Sequence, residues 1–366
     1  MNSQKASRMP LLPDNEAGMS PSKPSTAWTM RKMLSYLAVL LGLSWGAYYL
    51  WTPQTISQEK WASEATNPPE EELDVYGSNA HPTFKGMIKL MDLPEEYVPQ
   101  TGKHRKSGRL VVVGDVHGMK DSLVELLEKM DFNEKHDHLI LAGDMISKGP
   151  DSPGVVDLAM KLGATCVRGN HEDRILLAYA DMEAEHLRVG TPGPRESLDE
   201  QEDLLEEESF SHGNYKDRKL VKQLGKKRIK WLQQCPVILR VGKLGDMGEV
   251  VVVHAGLTPG VKLQRQDPVV VMNVRTVKNG VPSDRRNGTP WAKLWNKHQK
   301  TLPKKDRSTV IYGHDAKRGL RVKKYSMGID TGCLKGGKLT AVVIEGGQSD
   351  HKHKLYHVGC KDGRQK

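Results

Sequence analysis

Aromatic residues are scarce in this chain, with three Phe and an aromatic content of 5% in 366 residues. That scarcity argues against a site built on stacked bases and leaves Trp291, Trp295 and Tyr312 as the available platform for one. The four cysteines, Cys166, Cys235, Cys333 and Cys360, lack metal-ligand spacing, which excludes a cysteine zinc site. They read as structural or incidental and do not by themselves fix the redox compartment. No internal repeat is present. Acids are outnumbered: 55 Lys and Arg against 45 Asp and Glu give a formal charge of +10. Such a balance suits an anionic partner (nucleic acid, a phosphate polymer, a membrane surface) or a solvated basic face. With 37% hydrophobic content, the length allows one large domain or two small ones.

Residues 1–30, rich in Ser, Pro, Asn and Lys, read as a disordered tail. The uncharged run Met33–Trp51 approaches the ~20 residues that a membrane-spanning helix needs. Residues 31–52 are therefore expected to form an anchor, with Tyr48, Tyr49 and Trp51 at the far interface. A cleaved signal peptide fits less well, since the run starts late and has no clear A-x-A site. Lys23, Arg31 and Lys32 precede the run, and Glu59, Glu64, Glu70, Glu71 and Glu72 follow it. The amino terminus should face the cytosol and the rest of the chain a lumen, as in a single-pass type II protein. Residues 53–105 read as an acidic, Pro-rich luminal stalk, residues 106–358 as the folded domain and residues 359–366 as a short tail.

From Arg109, strands alternate with helices. Leu123, Leu126, Leu127 and Met130 recur at helical spacing. Ser152 as N-cap and Pro153 as the first helical residue open another helix around VVDLAMKL, closed at Gly163. The order strand, helix, strand, helix, strand predicts a right-handed parallel unit. An acidic stretch at about 183–210 reads as an inserted surface loop, either solvated or guarding a basic site. Lys216–Lys230 is expected to be helical, Pro236–Val241, GEVVVVHAG and DPVVVMNVR to be strands. The closing strands TVIYGHD, SMGID and LTAVVIE are expected to form a second sheet, giving an α/β fold: a β-sandwich flanked by helices.

Functional residues sit where apolar runs end. Asp115 and His117 follow Leu110–Val113 in GDVHG, Asp144 follows HLILAG, Asn170 follows TCVRG, His254 ends VVVVH and His314 follows TVIYG. Carboxylates and imidazoles delivered to one rim of a sheet form the layout of a two-metal hydrolytic site. Asp115, His117 and Asp144 suit a first divalent ion, and Asp144, Asn170, His254 and His314 a second. Mixed oxygen and nitrogen donors favour Zn, Mn, Fe or Co over Ca. A carboxylate shared by two ions would place a bridging water in line with a phosphorus atom and acidify it.

The series GDVHG, GDMISKGP, GNHE, HAGLTPG, YGHDA and GIDTGC resembles the calcineurin-like metallophosphoesterase superfamily, in the branch of protein phosphatases and bacterial diadenosine tetraphosphatases. GDMISKGP, with Lys where the protein phosphatases have Arg, resembles the ApaH-like group, which includes fungal vacuolar zinc-dependent endopolyphosphatases. The resemblance implies that two divalent ions, Zn or else Mn, Co, Mg or Fe, occupy the site. It also implies that His171 protonates the leaving oxygen instead of binding metal, and that Lys148 and Arg275 hold phosphate oxygens. Arg275 could otherwise serve in a surface salt bridge. Asp173 could orient His171.

Together these readings imply a metal-dependent phosphoanhydride hydrolase that cuts inorganic polyphosphate internally, anchored in a vacuole-like membrane with its site in the lumen. Lys293–Lys324 carries eleven basic residues against two acids, a stripe suited to a phosphate polymer. The alternatives are a dinucleoside polyphosphate hydrolase, a Ser/Thr protein phosphatase and a polyanion-binding module with a degenerate site. No specific nucleic-acid partner is expected, although RNA 5′-end hydrolysis would return if the topology were reversed. Asn287-Gly288-Thr289 would be a glycan site in a lumen, with Pro290 following it.

Overall fold

The computed structural model describes residues 75–76, 79–80, 86–101, 108–185, 215–347 and 350–363. The expected tail, the anchor, most of the stalk and nearly all of the acidic insertion lie outside the described residues; Leu90–Asp92, read as stalk, instead pair with Ile238–Arg240 and belong to the folded domain, with Leu93 in its core. Among the described residues, no helix is long and apolar enough to cross a membrane.

In chain order, β1 (Leu90–Asp92) precedes β2 (Leu110–Val113), α1 (Lys120–Lys129), β3 (His138–Leu141), α2 (Ser152–Lys161), β4 (Thr165–Cys166) and α3 (Asn170–Glu185). Then come α4 (Tyr215–Leu232), β5 (Ile238–Lys243), β6 (Glu249–Val253), α5 (Pro268–Asn273), β7 (Thr276–Lys278), β8 (Val281–Ser283) and β9 (Thr289–Pro290). The chain continues through α6 (Trp291–Thr301), β10 (Ser308–Tyr312), β11 (Arg321–Lys323), β12 (Ser326–Gly328), β13 (Asp330–Thr331), β14 (Lys338–Gly346) and β15 (His351–Gly359).

Strand periodicity divides one apolar run between two cores. All four residues of β2 are fully buried. Val111 and Val113 pack with Leu123, Leu126, Val155 and Leu224 from the helices, while Leu110 and Val112 meet Leu239, Val250 and Ile311 of a second sheet. Alternate side chains of a strand point to opposite faces, so an unbroken apolar run is what a strand covered on both sides requires. The second sheet's other face, including Val251, Val253 and Val310, packs on α5 and α6 through Val271, Met272, Trp291 and Trp295. The result is the expected layered arrangement: helices, sheet, sheet, helices.

One six-stranded sheet contains β13, β14, β2, β3 and β4 in that order, with β15 paired to β14; the other six-stranded sheet runs β11, β12, β10, β6, β5, β1. Strands β2, β3 and β4 are mutually parallel, as are β6 and β10. Two strand expectations are corrected. LTAVVIE forms β14, but it joins the first sheet antiparallel to β2, with Val342 opposite Val112. DPVVVMNVR is the helix α5, because Asp267 accepts a hydrogen bond from the Val269 N–H and Pro268 presets the first helical φ. That cap outweighs the β preference of three valines. In α2 the N-cap is Asp151, which bonds the Gly154 N–H; Ser152 is already helical, and its hydroxyl instead accepts from the Ser147 N–H.

All four cysteines are paired: Cys166 with Cys235, and Cys333 with Cys360. They are structural, not incidental, and bonds of this kind persist in oxidising compartments. The residues after 358, read from the sequence as a tail, are tied back by Cys360 and by the Gly363 N–H, which donates to Leu334 O.

Candidate metal centre

The carboxyl ends of β2, β3, β4, β6 and β10 converge, and the loops leaving them bring together Asp115, His117, Asp144, Asn170, His171, His254 and His314. His254 is central. Its Nδ1 lies 3.0 Å from Ala142 O, a carbonyl that can only accept, so this nitrogen carries the proton. Nε2 then presents a lone pair, yet it faces three more lone-pair atoms: Asn170 Oδ1 at 2.9 Å, Asp144 Oδ2 at 3.3 Å and His314 Nδ1 at 3.2 Å. His314 is fixed in the same way, with its Nε2 against Asn273 O at 3.1 Å. Convergent acceptors with no proton among them need a cation. Either His254 takes up a second proton or a metal ion sits between them, and this donor set fits a divalent ion of the transition series.

The electrostatics agree. Burial opposes the charge on His254, but nearby Asp144, which also bonds it, and Asp115 raise its pKa to about 10. Asp144 is held well below the ordinary carboxylate range: burial works against that charge, and His254 and His171 outweigh it. Asp115 is pushed well above its usual value by burial and by Asp330. His117 falls to about 4, chiefly through burial, with Asp144 pulling the other way. These opposed shifts reflect acidic and imidazole groups crowded together in a buried space, the arrangement a bound cation would relieve.

Asp144 is the hub of the centre. Its Oδ1 accepts the His171 N–H at 3.0 Å, at the start of α3, where the helix dipole favours an anion. Its Oδ2 lies 3.8 Å from His117 Nε2 and 4.0 Å from His171 Nε2. One group of ligand atoms, from Asp144, His254 and His314, lies within 4.8 Å of one another, and so does a second from His117, Asp144 and His171. By distance alone His171 could bind metal as well as donate a proton. Its pKa is lowered well below 6.5 by burial and then by Lys148, and its Nδ1 is buried without a hydrogen-bond partner.

The backbone here is strained. His117, Asp144, Ser147, Lys148 and His314 have φ of 46°, 48°, 74°, 68° and 70°, a left-handed conformation that costs a non-glycine residue ~1–2 kcal/mol. Glu172, which the sequence reading assigned no role, holds much of it in place. Fully buried, its carboxylate accepts four N–H groups: Asp144 (2.7 Å), Met145 (2.9 Å), Ile146 (3.3 Å) and Gly169 (2.9 Å). Burial and the charge of Asp144 raise its pKa to about 7, against His254 and the Asp144 and Gly169 N–H groups. Gly169 and Gly313 permit the close approach, since a Cβ at either would lie 2.3 Å or less from an oxygen of Asp144 or Asp115.

Lys148 and Arg275, expected to bind phosphate, both line the pocket over this centre. Arg275 is buried, with Nη1 donating to Asp284 O at 3.1 Å, so it is not a surface salt bridge. Asp173 pairs with Arg168 at 2.7 Å, and no hydrogen bond joins it to His171, whose Nδ1 has no partner among the described residues. The pocket adds Arg286, Lys317, Lys335 and Asp330, which the sequence reading did not single out. Asp330 rises to about 6 through burial, offset partly by the Gly332 N–H, and through Asp144. It stands in GIDTGC, so its motif was visible although its place was not.

Residues 108–344 match the calcineurin-like phosphoesterase family. The chain belongs to that family. Its members use divalent metals, and the convergent Asp and His side chains form candidate binding groups for them. Among relatives, a zinc-dependent endopolyphosphatase of Saccharomyces cerevisiae is 29% identical over 300 residues, 76% of this chain and 85% of that protein. A symmetrical bis(5′-nucleosyl)-tetraphosphatase of Nitrosospira multiformis is 26% identical over 69% of this chain and 97% of its own length. A crystal structure described as a candidate diadenosine tetraphosphatase superposes with a TM-score of 0.53 at 28% identity, covering 73% of this chain and 100% of that one.

Proposed function

We infer that the protein hydrolyses phosphoanhydride bonds within inorganic polyphosphate. The observation that carries this reading is the lining of the pocket: five cationic side chains (Lys148, Arg275, Arg286, Lys317 and Lys335) surround the donors and, among the described residues, no Phe, Tyr or Trp. Trp291, Trp295 and Tyr312, the candidate platform for an adenine, are 3%, 4% and 7% exposed, packed between the second sheet and its helices α5 and α6. A dinucleoside substrate offers bases that would find no ring there, whereas a phosphate polymer offers only charge. Similarity to the yeast endopolyphosphatase supports the same reading.

Asp115, His117 and Asp144 would hold one divalent ion and Asp144, Asn170, His254 and His314 another, and the pair would supply Lewis acidity and an activated water. The chain's own part is to place and neutralise the substrate. Lys148 and Arg275 hold oxygens of the reacting phosphate, where negative charge builds up. His171, which burial disfavours as a cation, gains proton affinity when an anionic phosphate lies against it, and it then protonates the departing oxygen as the P–O bond breaks.

The test is to offer the purified protein, supplied with Zn, Mn, Co or Mg, long-chain polyphosphate, diadenosine tetraphosphate and a phosphopeptide side by side. Polyphosphate should give the highest kcat/KM, with shorter chains appearing on a gel before free phosphate. Preference for the dinucleotide would replace this reading with the tetraphosphatase activity of the bacterial relatives.

A further inference from the structure

Arg286, Lys317 and Lys335 share the pocket with the metal donors, but each comes from a different turn, and each turn is fastened. Arg286 lies between β8 and β9. Its Nη2 and Nε donate to Asp315 Oδ1 at 3.0 and 3.3 Å. Asp315 is 8% exposed, immediately follows His314, and accepts at its other oxygen from Arg318 Nε at 2.6 Å. The same turn is gripped from below, where Thr276 Oγ1 donates to Arg285 O at 2.6 Å. Lys317 sits in the tight turn after Asp315, closed by the Arg318 and Gly319 N–H groups on Asp315 O. Lys335 rides on a turn closed by Gly332 O, which accepts from the N–H groups of Lys335 and Gly337, and Cys333–Cys360 fastens that turn to the end of β15.

Mutual repulsion would spread unrestrained cations into solvent. Here an ion pair, a tight turn and a disulfide keep their backbones around one opening, so the repulsion is built into the fold and is relieved when an anion enters. Ala316, Gly332 and Leu334, which line the pocket beside them, are small or apolar, and Asp315 offsets part of the charge of Arg286.

We propose that Arg286, Lys317 and Lys335 form a subsite for the non-reacting phosphates of a polyphosphate chain, those flanking the bond that is cut. This rests on the polyphosphate reading above and adds a division of labour: Lys148 and Arg275 serve the phosphate that reacts, the outer three the chain on either side of it. Cations fixed around the opening hold the polymer by its repeating charge. Affinity then grows with chain length until the subsite is filled and is level beyond that.

The experiment measures KM for tripolyphosphate and for long-chain polyphosphate across a salt series, on the full metal-loaded protein. The wild type should bind the long chain more tightly, with log KM rising steeply against log salt. Arg286→Gln/Lys317→Gln/Lys335→Gln should raise the long-chain KM about tenfold and lower the salt slope by about two, taking ~0.7 per lost contact from single-stranded nucleic acids as a guide. Lys300→Gln/Lys304→Gln, which removes two exposed charges outside the pocket, should change the slope by less than half as much. If the triple variant does not fold by circular dichroism, Lys317→Gln/Lys335→Gln, confined to exposed side chains, should raise KM about threefold and lower the slope by about 1.4. A wild-type KM and slope in the pocket variant would overturn the subsite while the function stands. So would an equal effect from the Lys300 and Lys304 pair, which would mean diffuse surface attraction. A wild type that fails to cut polyphosphate would remove the underlying reading, and the subsite with it, before any variant is compared.

Discussion

The two sides of the pocket are held by different means. On the metal side the donors other than the partly exposed His117 are buried, the backbone is left-handed at five non-glycine positions, and Glu172 ties the Asp144 loop to Gly169 through four N–H groups. On the basic side Lys317 and Lys335 are exposed on turns, held by Asp315 and by a disulfide. A metal pair tolerates little error in donor position, so its frame has to be strained and over-determined. A polymer that presents the same phosphate again and again needs only charge at roughly the right place. Long flexible side chains on fixed turns provide that and still let the chain advance.

The harshest way to break the contrast is Asp144→Asn. The carboxylate is shared by both donor groups, and an amide replaces one of its anionic oxygens with a donor that repels a cation. Turnover should fall on the order of 10³-fold or more, ~4 kcal/mol, and metal content measured by elemental analysis should fall with it. Full activity at unchanged metal content would contradict the bimetallic arrangement.

Glu172→Gln probes the frame itself. Oε2 accepts from Asp144 and Gly169, and Oε1 from Met145 and Ile146, so an amide nitrogen in either place strands two buried N–H groups. Each stranded donor costs ~1–3 kcal/mol, and loss of a group that orients ligands typically lowers metal affinity ~10–100-fold. Calorimetric Zn titration and thermal unfolding should both register the change. A protonated Glu172 would already resemble glutamine, so wild-type metal affinity in this variant would mean that the clamp works uncharged and that its four donors are weaker than their lengths imply.

The metal side was far more legible in the sequence than the basic side. Asp115, His117, Asp144, Asn170, His254 and His314 each follow an apolar run, and strand ends collect on one rim when the strands are parallel. Glu172 was visible beside Asn170 and His171, but a side chain that serves backbone N–H groups leaves no pattern in the residues it serves. LTAVVIE reads as a strand on either sheet, because alternation specifies faces and not neighbours. Spacing could not pair the cysteines, and Arg286, Lys317 and Lys335 meet only once three separate turns have folded.

The mildest test loosens one side alone. Cys333–Cys360 closes a loop of sequence separation 27 that carries Lys335 and the strand pair β14–β15. Cys360→Ser should lower stability by ~3 kcal/mol in the chain-entropy picture, and with Lys335 no longer fastened the long-chain KM should rise about threefold, an effect of ~0.7 kcal/mol. Metal affinity should stay near the wild-type value, since Glu172 and the strained loops are untouched; a matching loss of Zn would show that the two sides are mechanically one. The same bonds bear on where the protein works. We propose that the domain faces an oxidising lumen, as the charges flanking Met33–Trp51 imply, and two disulfides support this. Alkylation of protein taken from its host, before and after reduction, should add label only after reduction. Four thiols labelled at the outset would place the domain in a reducing compartment, where neither disulfide could restrain its turn.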